Sequence, residues 1–265
     1  MDHYQPTFES KETARNVEDF IDATKAEFWK IFTPLMPFIA ACHILDAVIS
    51  DLFFAESKNG FALFSIIAAY FVTALVITWH RVVIHGPDNY TPMNPFKPKR
   101  HELVFVGMGF LLGVIIGGIG GGFVLGAIVT ASSIMSLLAA VVIFALIYMF
   151  YRVCFYFPAR AVNSGITLSQ AFRLTNGYLW KIISSTFRAA LYPILILLGF
   201  SLVMGVLLAL VLAFLPLGGA IEVLSLMVVL PVKLYFEPLL TIIGVTVLSN
   251  YYLYAIQNEE HAVEG

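Results

Sequence analysis

The chain has 265 residues, of which 60% are hydrophobic and only 12% charged, and its net charge is −2. A soluble fold of this composition would expose far more apolar surface than water tolerates, so an ordinary soluble protein is excluded and a membrane protein is predicted. The basic residues form no continuous stripe, which argues against nucleic-acid binding, and the acid-rich first 30 residues lack the features of a secretory signal.

Six apolar runs are long enough to cross a bilayer, since one crossing needs about 20 helical residues. They cover roughly residues 31–54, 61–84, 103–126, 134–157, 189–214 and 226–251. The sequence therefore predicts an all-α fold, a polytopic bundle of six transmembrane helices in three hairpins over residues 31–256. An N-terminal arm (1–30) precedes the bundle and a short acidic tail (257–265) follows it.

The distribution of cations predicts the orientation of this bundle. Thirteen of the fifteen Lys and Arg residues lie in the arm, in the last turn of the second run and the connection after it, or in the end of the fourth run and the connection after it. Because basic flanks resist translocation, these segments belong on one side. We expect an inner (cytoplasmic) membrane, or an equivalent organellar one, with both termini in the cytoplasm.

Two cytoplasmic segments are predicted to be amphipathic helices. In the arm, apolar residues recur at helical spacing from Val17 to Phe28, which predicts a helix on the lipid interface; a helix that binds a partner protein is the alternative. The second helix is predicted from Leu168 to Lys181, with Thr167 as its N-cap. We also predict interfacial anchors, side chains that reach the headgroups from helix ends: Trp29, Lys30, Arg81, Arg152, Arg160 and Trp180.

Charged residues inside the apolar runs are the clearest candidates for function, because each costs about 2.5–3.5 kcal/mol at mid-span. If the first and sixth runs cross in opposite directions, Asp46 and Lys233 lie at similar depth. His43 shares a helix face with Asp46, and Glu237 shares one with Lys233. We predict a polar cluster of these four residues, which is either an ion or substrate site or a buried ion pair that fixes two helices.

The third run is rich in glycine, with Gly109, Gly113 and Gly117 spaced every four residues. Small residues at this period let helices approach closely in lipid, and the segment 117–122 could also bend the helix. Neither a phosphate loop nor any other catalytic motif is present in the sequence. His80, His85 and His101 fall near the inner boundary, where we interpret them as interfacial residues. No metal site and no cofactor are predicted.

An internal repeat is suggested when the chain is shifted by 71 residues, because Arg81 then falls on Arg152 and Pro87 on Pro158. The second and fourth runs cross in the same direction, so the repeat would be parallel.

A resemblance concerns the middle third of the chain. Its residues are Arg152, Pro158-Ala159-Arg160-Ala161, Leu168 to Gly177, and Trp180-Lys181. With them the chain resembles a broad group of bacterial six-span membrane proteins, including the membrane portion attached to some glycerophosphodiester phosphodiesterases. The resemblance implies an intracellular elbow followed by an interfacial helix. It implies no phosphodiesterase activity, because that activity belongs to a separate soluble domain.

Two functions follow as hypotheses. The first is a non-enzymatic membrane protein that acts as a scaffold, accessory subunit or lipid-interacting module, with membrane lipids and a protein subunit as partners. The alternative is a small transporter or channel that uses the predicted polar cluster. An enzyme acting on lipid inside the membrane ranks last, because it would need an acid and a base facing a groove that lipid can reach.

Overall fold

A computed structural model describes residues 4–54, 63–214 and 230–264. In this part of the chain the structure is all-helical, with 83% helix and no strand. The helices are α1 (Ser10–Ala23), α2 (Lys25–Phe32), α3 (Met36–Phe54), α4 (Leu63–His85), α5 (Arg100–Ile115), α6 (Gly121–Thr130), α7 (Ser133–Val153), α8 (Tyr156–Ala161), α9 (Leu168–Leu174), α10 (Leu179–Phe214) and α11 (Glu237–Glu264).

Five described segments are long and apolar enough to span a membrane: Phe64–His85, Arg100–Thr130, Ser133–Val153, Leu179–Leu210 and Leu234–Glu259. A sixth is obtained if α2 and the first part of α3 count as one span bent by 55°. The bend lies at the segment 33–35, where Pro34 lacks a backbone N–H and disfavours helix in the residue before it. The apolar helices agree with the predicted membrane protein, while the exact number of spans is five or six.

Two of these spans contain a π-helical segment. Ile116–Gly120 joins α5 to α6, at the edge of the run where the sequence predicts a possible bend. Val232–Phe236 leads directly into α11. In the third span a Cβ on Gly120 or Gly126 would meet side chains of α7, and a Cβ on Gly109 would meet the Phe157 ring of α8. At Gly113 and Gly117 a Cβ would meet open space, so the period of four residues does not mark a continuous helix contact.

The helices converge at one end of the bundle, which we call the charged end. Here α1, α2, α8 and α9 pack around the last turns of α4 and α11 and the first turns of α5 and α10. The spans in α4 and α11 form the centre, with 61% and 56% of their apolar windows buried. In the spans of α5–α6, α7 and α10 the buried share is 11% or less. The molecule is therefore well packed at the charged end and presents broad apolar surfaces beyond it.

The N-terminal arm belongs to this packed region, which corrects the predicted lipid-facing helix. Its apolar face is turned inward: Val17 is fully buried, and the rings of Phe20 and Phe28 lie 6.2 and 6.1 Å from that of Trp79 on α4. Burial against a large indole removes this face from contact with lipid or a partner. The first described residues of the arm lie beside α11, where Asn250 bonds to Tyr4 and to the backbone of Thr7.

The second predicted amphipathic helix is shorter than expected. Thr167 caps it, accepting a hydrogen bond from the Gln170 backbone N–H, but α9 ends at Leu174. Gly177 has φ of +85°, a conformation in which a helix cannot continue, and α10 begins two residues later. The helix that carries the fifth span therefore starts at Leu179, well before the predicted residue 189.

The proline-rich connection between α4 and α5 is non-helical, and it folds back along α4. The Met93 backbone N–H donates to the Thr78 hydroxyl (3.0 Å), and the Tyr70 hydroxyl donates to the Pro95 carbonyl (2.6 Å). Thr78 and Tyr70 lie about two and four turns before the end of α4. This path brings the start of α5 back beside the last turns of α4.

Candidate anion site at the charged end

Arg81 lies near the end of α4 and is buried, with only 5% of its surface exposed. Its guanidinium donates hydrogen bonds to the Ala161 carbonyl (2.7 Å), to the Thr91 carbonyl (3.0 Å), to His101 Nε2 (3.1 Å) and to Glu102 Oε1 (2.7 Å). These bonds join α4 to α5, to α8 and to the connection that folds back along α4. The arginine that we predict as a lipid anchor is therefore inside the protein, because an acid at the same depth offers it a partner.

Glu102 is that acid, and it is 2% exposed. One carboxylate oxygen accepts from Arg81, and the other accepts from the Lys99 backbone N–H (2.6 Å). The second bond caps the first turn of α5, where the helix dipole also favours negative charge. Both oxygens of this buried carboxylate are thus paired, as a stable buried ion pair requires.

His101 has its protonation state set by the same contact. Arginine can only donate hydrogen bonds, so His101 Nε2 must accept from it. The imidazole is consequently neutral, and its hydrogen is on Nδ1. That N–H is a donor one residue into α5.

A cavity of about 360 Å³ opens beside this network. Its lining comes from α4, α5, α8 and the loops between them: Arg81, His85, Asn89, Thr91, Lys99, His101, Ala161, Val162 and Asn163. The cavity lies at the N-terminus of α5, where the first backbone N–H groups have no acceptor within the helix. Cationic groups, hydrogen-bond donors and a helix N-terminus on one cavity are the features of an anion-binding site.

The three histidines near the inner boundary do not form a metal site. His85 and His101 line the cavity, whereas His80 is buried in the centre and its Nδ1 lies 2.7 Å from the Ser249 hydroxyl. Among the described residues no group of three His, Cys, Asp or Glu side chains is placed to hold a metal ion.

The predicted polar cluster is resolved only in part. Asp46 accepts hydrogen bonds from the Phe64 backbone N–H (3.1 Å) and from the Ser65 hydroxyl, so it caps the first turn of α4. α3 packs against the π-helical segment that contains Lys233, as the prediction requires of the two helices. The Lys233 side chain lies outside what the structure describes, and the pairing of Asp46 with Lys233 stays a prediction.

The other two members of that cluster lie at different levels of exposure. His43 is half-buried on α3, and Glu237 is exposed at the first position of α11. Both take part in interactions with other residues.

The remaining predicted anchors divide into two groups. Trp29, Lys30 and Trp180 are exposed, Trp29 beside Tyr235 and Lys30 beside Glu27. Arg152 and Arg160 are half-buried and contact protein. Arg152 donates to the Asn176 side chain (2.9 Å) and lies over the Phe172 ring, and Arg160 lies over the Tyr156 ring.

In the two copies of the suggested repeat the arginines occupy similar positions, but the backbone around the prolines differs. Arg81 and Arg152 both lie in the last turns of a helix and reach residues in the elbow after α7. Pro87 follows a left-handed Gly86 (φ +85°) in a loop, whereas Pro158 lies within α8.

Two features of the charged end are not evident in the sequence. The first is the burial of Glu102 against Arg81. Glu102 lies three residues after Lys99, the spacing of a helix capping box, so the sequence indicates a helix start here but not the ion pair. The second feature is a run of three consecutive residues on α11, Asn250, Tyr251 and Tyr252. All three are buried, and they bond to Tyr4, Ser185 and Ser164 respectively.

Comparison of the chain with known protein families, with curated proteins and with solved structures finds no match.

Proposed function

We propose that this chain is a six-span protein of the inner membrane that acts without catalysis as a lipid-interacting module. Its charged end and both termini face the cytoplasm, and the cavity beside Arg81 holds the phosphate of an anionic lipid headgroup. The observation that carries the proposal is the cavity lining, which combines Lys99 and Arg81 with the N-terminus of α5.

The charge of the site is suited to a headgroup phosphate. Glu102 neutralises much of the Arg81 charge, so Lys99 is the strongest free cation of the lining, with the His101 N–H and nearby amide and hydroxyl groups as additional donors. Orientation with basic segments inward would place the site at the anionic cytoplasmic leaflet. The broad apolar surfaces of α5, α7 and α10 are those of helices surrounded by lipid.

A lipid titration tests the proposal. The purified protein in a neutral detergent is titrated with phosphatidic acid or phosphatidylcholine, and binding is followed by the rise in thermal unfolding temperature. We expect wild type to be stabilised by the anionic lipid. Lys99→Gln combined with His85→Gln should weaken that binding by about tenfold, as the loss of a charge-assisted contact implies.

Lys97→Gln is the matched control, because Lys97 is an exposed cation in the same loop and does not line the cavity. Equal losses in the control and in the double variant would mean that only the general charge of the loop attracts lipid. That result, or no preference for the anionic lipid, would contradict the proposal.

A small transporter or channel is the second candidate, and one observation favours it. The last span begins within the π-helical segment Val232–Phe236, which includes Lys233 and packs against α3, the helix of Asp46. Such π-helical segments occur often at functional sites. Asp46→Asn combined with Lys233→Met is the test, in sealed vesicles with an imposed ion gradient. If the protein is a transporter, wild type should carry an ion flux and the double variant should lose that flux while it remains folded. An absence of flux in wild type would reject this candidate.

A further inference from the structure

A second cavity, of about 380 Å³, lies among α4, α5, α7, α10 and α11. Most of its wall is hydrocarbon, contributed among others by Val76, Phe105, Phe150, Phe157, Ile182 and Val245. The wall also carries four uncharged polar side chains, His80, Tyr151, Thr186 and Thr241; His80 is bonded to Ser249, and the Thr241 hydroxyl to the Glu237 carbonyl. The cavity therefore has an apolar interior and no cluster of charges.

This cavity is separate from the candidate anion site. On α5, His101 faces the anion site and Phe105, one turn further along, faces the apolar cavity. On α8 the corresponding pair is Ala161 and Phe157. The rings of Phe105 and Phe157 meet edge to face at 5.0 Å on the wall of the apolar cavity, and neither ring lines the anion site. One ligand need not occupy both.

The apolar cavity has a side from which a ligand could enter. Both α7 and α10 line it, yet these two helices make no extended contact with each other in the described part of the chain. Their outer surfaces are apolar and exposed, as at Phe144 on α7 and Phe187 on α10. Contact between α7 and α10 therefore does not close this side of the cavity in the described part of the chain, and a chain from the surrounding lipid would enter here.

We infer that this cavity binds a single hydrocarbon chain, supplied either by a membrane phospholipid or by a free fatty acid. A flexible chain matches an irregular apolar wall, and it would enter between α7 and α10 without bringing a charge into the bundle. Occupancy would also replace the packing contacts that an empty apolar cavity lacks. The inference concerns a different cavity from the proposed headgroup site and does not depend on it.

The test fills the cavity from Gly244 on α11. This glycine lines the cavity, and a Cβ built on it has no heavy atom within 4 Å. The purified protein is examined by native mass spectrometry after exchange into a lipid-free detergent. We expect wild type to retain one chain-bearing molecule, whose mass distinguishes a phospholipid from a fatty acid, and Gly244→Leu to retain it about tenfold less.

Gly199→Leu is the matched control. Gly199 is exposed on α10, does not line the cavity, and would also receive a Cβ without a contact within 4 Å. The control should retain the chain as wild type does. Equal retention by Gly244→Leu and wild type, or the absence of any bound chain in wild type, would overturn the inference.

A second variant covers the case in which Gly244→Leu does not fold. Gly109→Val fills the cavity from α5, where the new Cβ would lie 3.9 Å from the Phe157 ring, an ordinary contact distance. It should lose the chain as well, and full retention by a folded Gly109→Val would overturn the inference. Lys99→Gln should keep the chain, so that failure of the headgroup proposal and failure of this inference are distinguishable.

Discussion

Arg81 and Glu102 show how a membrane protein accommodates charge at the end of a bundle. Each is almost fully buried, and each has partners beyond the other: two carbonyls and His101 for the arginine, and a backbone N–H for the acid. A buried pair of this kind adds little net stability over apolar residues, because desolvation offsets its attraction. The main effect of the pair and its hydrogen bonds is to fix the positions of α4, α5 and α8 relative to one another. This arrangement shapes the candidate anion site.

Breaking this pair should be much more harmful than removing it. Glu102→Ala leaves the Arg81 charge buried without its acid, and we expect a loss of about 3–5 kcal/mol in the free energy of unfolding. Arg81→Met with Glu102→Leu should recover most of that loss. Denaturant unfolding of the three proteins in the same detergent is the measurement, and a double variant as unstable as the single one would contradict the prediction.

Tyr90 should give the stability of the protein a specific alkaline dependence. Burial first, and then its hydrogen bond to Glu27, raise the pKa of Tyr90 to about 12, against about 10 in an unfolded chain. A raised pKa means that the contribution is fully present below pH ~10 and is lost as pH rises toward ~12. Between these values the thermal stability of wild type should fall more steeply than that of Tyr90→Phe. Parallel pH profiles of the two proteins would contradict this prediction.

The sequence could not reveal these residue contacts. Hydropathy indicates that Arg81 lies near the end of a span, but its partner is 21 residues away and is brought close only because the connection folds back along α4. Lipid phosphate and a protein acid both satisfy an arginine at that depth, and sequence alone does not choose between them. The predicted role of Asp46 has the same limit, since its bonds to the first turn of α4 depend on how α3 and α4 pack.

At the scale of helices, the amphipathic arm illustrates how a correct pattern can predict the wrong surface. The apolar face predicted between Val17 and Phe28 exists, yet it packs on Trp79 and not on lipid. Both surfaces satisfy the same periodicity. The helix boundaries that the sequence misses have local causes, namely Pro34 in the bent first span and the left-handed Gly177 before α10.

The Asn250 side chain binds the start of this arm, and removing that side chain should release the arm from the bundle. The side chain accepts from Tyr4 and from the Thr7 N–H and donates to the Thr7 carbonyl. Asn250→Ala removes these bonds, and we expect about 1–2 kcal/mol less stability for the docked arm, or roughly 5–30-fold faster tryptic cleavage at Lys11 and Arg15. The measurement is limited proteolysis of the folded protein.

Asn258→Ala is the control on the same helix, because Asn258 is exposed and bonds to the Tyr254 carbonyl and to the Tyr178 side chain, not to the residues of the arm. Its cleavage rate should equal that of wild type. If Asn250→Ala were cleaved no faster than the control, the arm would be held by its apolar contacts alone.

At the scale of the whole molecule, the packed charged end and the lipid-like surfaces elsewhere argue for one orientation. Thirteen of the fifteen Lys and Arg residues lie in the arm, in the α4–α5 and α7–α10 connections, or in the helix turns that adjoin these connections, and these segments all meet at the charged end. Translocation of that end would require moving a folded unit with many cations across the bilayer. The opposite end includes the α6–α7 turn at Ala131, where the described chain has no Lys or Arg.

Two single cysteine variants should establish this orientation. Cys42 and Cys154 are both buried and should react slowly with maleimide, so the native cysteines should contribute little labelling. Ser132→Cys, at the α6–α7 turn, should be labelled by a membrane-impermeant maleimide in cells or spheroplasts whose inner membrane is intact. Ser169→Cys, exposed on α9 at the charged end, should be labelled only after permeabilisation. Labelling of Ser169→Cys alone would reverse the orientation and place the candidate anion site away from the cytoplasmic leaflet, whereas labelling of both in intact cells would mean that α7 does not separate two compartments.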